Sequence, residues 1–133
     1  MLTGGYHCTA IRYEATDQPY NRTICHCTTC RTTTGAPCVA WFSVNRSDFQ
    51  CTQGVPTQYR SSGHATRTFC AICGTQLTFI HDTSAEEIDI TTCSLDALAN
   101  VGPQDYTFTA SQVPWLKLAD GLPSYPQSSA VGK

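Results

Sequence analysis

The sequence predicts a mainly β protein, a single compact domain with cysteine knuckles and little helix. Three observations carry that expectation. Short runs with period-two alternation or β-branched and aromatic content recur along the chain, turn-forming residues break them apart, and no window holds an apolar stripe of helical period for three turns. With 133 residues, 41% hydrophobic and 14% charged, the chain has the apolar material for one ordinary core.

The strand-like runs are residues 6–13, 39–44, 57–61, 76–81, 87–92 and 106–110. Between them lie Asp17-Gln18-Pro19, Gly35-Ala36-Pro37, Gln53-Gly54-Val55-Pro56, Ser61-Ser62-Gly63 and Gly102-Pro103, where glycine and proline fix turn dihedrals and interrupt sheet pairing. Residues 94–99 can form one helical turn, with Ser94 as its cap. A domain boundary is expected after residue 122: residues 123–133 are rich in Pro and Ser and poor in large apolar side chains, so this tail should lie on the surface or be disordered.

Charge and hydropathy narrow the partners. The net charge is −2, and Arg12, Arg22, Arg31, Arg46, Arg60 and Arg67 are scattered rather than clustered, which leaves no footprint for a nucleic acid. Met1 to Cys8 carry neither a basic segment nor an apolar run, and no stretch approaches the roughly 20 apolar residues of a membrane span. The expectation is a cytoplasmic protein with no membrane partner. Nine cysteines are too many for an average chain and odd in number, so metal ligation in a reducing compartment fits better than a disulfide framework.

Cys25-His26-Cys27-Thr28-Thr29-Cys30-Arg31 places two thiols on one face of an extended segment and returns a third through a two-residue turn. That spacing can gather three sulfurs around one zinc ion. A redox pair of Cys27 with Cys30, or a set of buried structural cysteines, would use the same residues differently. A closed structural zinc site wants four ligands, so either a distant residue completes the triplet or the fourth position is kept for water or substrate; the reading adopted is the open position. His26, between two ligands, should point away from their metal, outward or to a hydrogen-bond partner.

Cys70-Ala71-Ile72-Cys73-Gly74 is half of a zinc ribbon, with the glycine relieving strain where the chain turns back. It lacks a matching downstream pair, and Cys8 is the upstream thiol best placed to join it. Cys38, Cys51 and Cys93 sit in apolar or strand-like contexts, where a thiol behaves as a small buried hydrophobe.

Taken in order, Gly5-Tyr6-His7-Cys8-Thr9-Ala10-Ile11-Arg12-Tyr13, the triplet Cys25, Cys27 and Cys30 with Arg31, Gly35-Ala36-Pro37, and Arg67-Thr68-Phe69-Cys70-Ala71-Ile72-Cys73-Gly74-Thr75 resemble the glutathione-dependent formaldehyde-activating enzyme family, which includes centromere protein V. The resemblance continues weakly through Ser94-Leu95-Asp96 and Pro114-Trp115. It implies a β-rich fold of the formaldehyde-activating-enzyme type, related to small guanine-nucleotide exchange factors with a zinc ribbon, and two Zn2+ sites. Cys25, Cys27 and Cys30 match the catalytic zinc ligands. Cys8, Cys70 and Cys73 match three ligands of a structural zinc whose fourth is replaced here by Tyr6. A phenol is a poor zinc ligand, so that second site is expected to be weak or empty unless His7 or water joins it, and His7 would need a bulge to reach it. Relatives also often carry a histidine near the position of Tyr106.

The expected chemistry follows from the triplet. Zinc with three thiolates accepts a soft sulfur readily and lowers the pKa of a bound thiol. The resemblance therefore implies a zinc-dependent carbon–sulfur lyase acting on a glutathione-like thiol adduct of a small carbonyl compound. Arg31 and Arg67 are candidates for holding substrate carboxylates, or are structural salt-bridge partners. A same-fold zinc enzyme acting on another small molecule in a biosynthetic pathway, and a non-catalytic zinc-stabilised binding module, are the alternatives.

Overall fold

Among residues 1–16 and 18–129, which the computed structural model describes, the elements run β1 (Leu2–Gly5), β2 (Arg12–Ala15), β3 (Tyr20–Cys25), α1 (Thr28–Thr34), β4 (Val39–Asn45), β5 (Phe49–Gln53), β6 (Thr57–Ser62), β7 (Ala65–Phe69), β8 (Gln76–His81), β9 (Glu87–Thr91) and β10 (Asp105–Thr107), with short 3-10 turns between some of them. Asp17 of the first expected break and residues 130–133 of the tail lie outside the described residues. The strands make a three-stranded sheet in the order β1-β2-β5 and a seven-stranded sheet in the order β10-β3-β4-β9-β8-β7-β6. Among the described pairs of strands, only β10–β3 is parallel. The mainly β expectation holds, and no described helix is long and apolar enough to cross a membrane.

Alternation sorts the larger sheet into two faces. On one, Phe42 lies opposite Ile90 and Val44 opposite Ile88, and all four are buried in the main core with Tyr13 and Ala15 of β2. Phe42, Val44 and Ile90 have no exposed surface, so removing any of these side chains would cost about 2–4 kcal/mol. On the other face, a row of directly opposed residues crosses four strands: Arg67 on β7, Phe79 on β8, Asp89 on β9 and Ser43 on β4. Trp41 and Thr23 form the next row. This second face carries the site.

Three local expectations are corrected, and α1 with strands β1, β3, β5 and β7 lies outside the expected runs. Of residues 106–110 only Tyr106 and Thr107 are strand, since Phe108 takes a left-handed φ of 55° and a 3-10 turn follows. Residues 6–13 are not one strand: Thr9 takes a left-handed φ of 64°, the Tyr6 amide donates to the Ile11 carbonyl and the Thr9 amide to that of Tyr6, so a tight loop precedes β2 and presents Cys8. Residues 94–99 form no helical turn. Leu95 instead bridges Gly4 on β1, and the Ser94 hydroxyl donates to the Thr91 carbonyl at 2.7 Å, because pairing with β1 takes the segment's backbone groups. Helix α1 and strand β3 were not evident from periodicity. α1 is threonine-rich and has no apolar stripe; it is held by its caps, while the hydroxyls of Thr32, Thr33 and Thr34 find partners one turn back in the carbonyls of Thr28, Thr29 and Cys30. β3 is interrupted by a bulge between Tyr20 and Thr23, with Asn21 at a φ of 48°.

The tail lies on the surface, but its described part is tied down. Ser124 bridges Tyr106, the Tyr106 amide donates to the Pro123 carbonyl, and the Phe108 amide donates to that of Gln127. Main-chain pairing needs no apolar side chain, so composition could not disclose it.

Candidate metal centre and cavity

Cys25 ends β3, Cys27 is the N-cap of α1, and Cys30 lies in the first turn of that helix. The Cys27 sulfur accepts the Cys30 amide at 3.2 Å, and Gly35, at a φ of 69°, closes the helix by donating to the Arg31 carbonyl. A strand end followed at once by a capped helix thus turns the triplet's spacing into a cup. The three sulfurs lie within 4.8 Å of one another, with Cys25 and Cys30 3.5 Å apart. Protons are shared unequally among them. Hydrogen bonds from Cys25 and Cys30 hold Cys27 far below the ordinary thiol range, with the Cys30 amide and the Arg67 charge adding to the effect, while the same sharing pushes Cys25 up.

Cys8, Cys70 and Cys73 form a second group by the same measure, Cys8 and Cys70 being 3.6 Å apart although 62 residues separate them in sequence. The knuckle amides of Ile72 and Cys73 both donate to the Cys70 sulfur at 3.4 Å, and Gly74 takes the left-handed φ of 79° that the tight return requires. Cys73 is exposed, and hydrogen bonds from the Thr75 hydroxyl and amide bring its thiol down to about 6. Tyr6 is 3% exposed, and its phenol is pushed up by burial and then by the charges of Cys70, Cys51 and Cys73 beside it. His7 is in neither group; its amide donates to the Thr75 hydroxyl.

Both groups fit a soft, thiophilic ion. Four ligands arranged tetrahedrally at the roughly 2.3 Å of a zinc–sulfur bond sit about 3.8 Å apart, close to the Cys25–Cys30 and Cys8–Cys70 separations, and each donor set is entirely sulfur. Their surroundings differ. Cys70 belongs to the main core, whereas Cys25 and Cys30 pack with Trp41 in a smaller cluster flanked by Phe79.

The triplet opens into a cavity of about 410 Å3. Its apolar wall is Trp41 and Phe79, whose rings meet edge to face at 6.3 Å. Another wall carries Asp89, which accepts from the Ser43 hydroxyl at 2.5 Å, and Glu87, which accepts from the Asn21 amide at 3.4 Å. His81 also lines the cavity; its Nδ1 accepts the Thr83 amide, which leaves the proton of the neutral ring on Nε2. Of the two arginines singled out from sequence, Arg67 lines the cavity and Arg31 does not; Arg31 donates to the Thr28 hydroxyl at 3.5 Å.

Sequence reasoning did not reach Trp41, Ser43, Phe79, His81, Glu87 or Asp89. Their signal was alternation, but which face of the sheet they occupy depends on register. His26 does point away from the thiols, yet inward rather than outward: it has no exposed surface, packs edge to face on Tyr106 at 5.8 Å, and neither ring nitrogen has a hydrogen-bond partner among the described residues. The cause is β10, whose Thr107 carbonyl accepts the His26 amide and covers the segment, so burial lowers the imidazole's pKa and keeps it neutral. Cys93 is exposed rather than buried, and Cys38 and Cys51 are half-buried.

A mainly β chain that gathers two sets of three thiols, one of them opening into a cavity, has the donor sets of a small metal-thiolate protein. The family model for glutathione-dependent formaldehyde-activating enzyme matches residues 1–111, and the chain belongs to that family. A protein of Schizosaccharomyces pombe described as an uncharacterized lyase is 33% identical over 78 residues, which are 59% of this chain and 56% of that protein. The chain thus matches little more than half the length of that curated relative. The crystal structure of a Rhodobacter sphaeroides protein, a structural genomics target, superposes with a TM-score of 0.63 at 21% identity, over 74% of this chain and 91% of the other, and shows the same fold.

Proposed function

We propose that the protein is a zinc-dependent carbon–sulfur lyase acting on a glutathione-like thiol adduct of a small carbonyl compound. The observation that carries this reading is the opening of the Cys25, Cys27 and Cys30 sulfurs into the 410 Å3 cavity; Cys8, Cys70 and Cys73 are read as the structural site. Family membership and the lyase relative support the reaction class. Zinc held by the triplet would supply an acceptor for a soft sulfur and stabilise that sulfur as a thiolate. Trp41 and Phe79 exclude water from the carbon–sulfur bond. As that bond breaks, the sulfur leaves with the electron pair, the carbon becomes a carbonyl, and the adduct's hydroxyl proton passes to a carboxylate oxygen of Asp89, which lies beside Phe79 in the same row. Arg31, on the helix outside the cavity lining, is left as the candidate for a substrate carboxylate that reaches beyond it.

A same-fold enzyme with a different small-molecule substrate is favoured by one observation: the cavity presents Glu87 and Asp89, which repel a thiol as rich in carboxylates as glutathione.

The test is Cys30→Ser. The variant should stay folded, lose one equivalent of zinc, and lose thiol-dependent adduct turnover followed by NMR with glutathione and formaldehyde first and other thiols afterwards. Wild-type rates equal to buffer for every pair would leave the non-catalytic zinc-stabilised module as the reading.

A further inference from the structure

Arg67 is 4% exposed, and its neighbours are unusual for a buried cation. The guanidinium carbon lies 4.9 Å from the centre of the Phe79 ring and 5.8 Å from that of Trp41, and Nη2 donates to the Cys30 sulfur at 3.7 Å. Nε is buried with no hydrogen-bond partner among the described residues. Among the described residues the side-chain ion pairs are those of Arg12 with Asp96 and Arg60 with Asp82, and none joins Arg67 to a carboxylate. A guanidinium taken out of water without an anion costs several kcal/mol, and two aromatic faces return only a part of that. The acceptor that faces it is the Cys30 sulfur, in hydrogen-bond contact with Nη2.

We infer that Arg67 is the fixed counter-ion of the Cys25, Cys27 and Cys30 group, a positioning residue acting through Cys30 rather than a clamp for a substrate carboxylate. The inference rests on the metal reading above. Three thiolates around a divalent cation leave one negative charge, and an incoming thiolate adds a second. The cation beside Cys30 cancels the first, so an anionic sulfur enters a centre of no net charge instead of a negative one. The hydrogen bond to Cys30 also withdraws electron density from that sulfur, which keeps it a metal ligand rather than a base. Trp41 and Phe79 fix the guanidinium between them, so the charge is aimed before a ligand arrives. Lysine would not reproduce this, since stacking and the directed Nη2 donor both need the planar head.

The probe is Co2+, whose sulfur-to-metal charge-transfer band reports the electron richness of the thiolates; the triplet's share of the band is the part that Cys30→Ser removes. Arg67→Met, similar in bulk and uncharged, should move that band to lower energy and weaken Co2+ binding by about tenfold, the size of effect expected for a partner one shell removed from a metal. The affinity of the Co2+ form for 2-mercaptoethanol should fall with it, while Arg67→Lys should recover affinity in part. Should Arg67→Met fail to fold, Arg67→Gln is read in the same way. A folded neutral variant with an unshifted band and unchanged Co2+ affinity would overturn the role of Arg67 while leaving the metal reading intact. A wild-type protein with no Co2+ band that Cys30→Ser removes would overturn the metal reading, and the counter-ion role with it.

Discussion

Replacing Tyr6 with cysteine supplies the fourth thiolate that the family resemblance implies for the Cys8, Cys70 and Cys73 group, but the structure makes the outcome depend on zinc. Tyr6 is 3% exposed within the main core, beside Cys70 and Cys73. Exchanging its ring for a single sulfur empties a buried site and costs about 3 kcal/mol, the lower end for loss of a buried aromatic. Against that, a fourth thiolate that tightens the Cys8, Cys70 and Cys73 site by about a hundredfold contributes about 2.7 kcal/mol through ligand binding to the folded state alone. The two terms nearly cancel when zinc is abundant. At about 4 °C per kcal/mol for a chain of this size, Tyr6→Cys should melt roughly 12 °C below wild type in chelator and within a few degrees of it in excess zinc. The assay is thermal unfolding of both proteins with and without zinc, with zinc stoichiometry measured on each. Equal zinc-induced increments in Tm for the two proteins would refute the reasoning, because they would mean that residue 6 does not address the metal.

Glu87→Gln removes one negative charge from the cavity wall and should tighten binding of glutathione by about threefold, a gain expected for relief of one partly screened repulsion, while leaving cysteamine binding unchanged or weaker; isothermal titration showing no change for either thiol would remove the wall from the account of specificity. Asp96→Asn tests how the loop after β9 is tied to the small sheet. Hydrogen bonds from Arg12 and Thr3 hold the Asp96 carboxyl below its ordinary value of 3.8. A depressed carboxyl stabilises the folded state fully above that ordinary value and ceases to do so as pH falls through the folded one. The variant should therefore melt below wild type at neutral pH and converge with it in acid, and a difference constant from pH 7 down to pH 2 would show that charge is not the cause.

Spacing made the Cys25, Cys27 and Cys30 cup legible, because six residues of chain can close around one ion without help from the rest of the molecule. The Cys70–Cys73 knuckle with Gly74 was legible for the same reason, and its union with Cys8 followed from the order of motifs rather than from any local rule. α1 was hidden because it is held by its caps and not by an apolar stripe, and the loop at residues 6–11 because alternation alone does not reveal a left-handed Thr9. By itself, the sequence determined the strand-rich class, both thiol groups and the family resemblance, all of which rest on residues that are neighbours in the chain or on their order along it. Only the tertiary structure decided what the first group faces. Strand register brings Arg67, Phe79, Asp89 and Ser43 into one row, and a shift of one residue would have sent each of them to the other face, so the wall of the cavity and the charge beside Cys30 are properties of pairing between strands and not of any one strand.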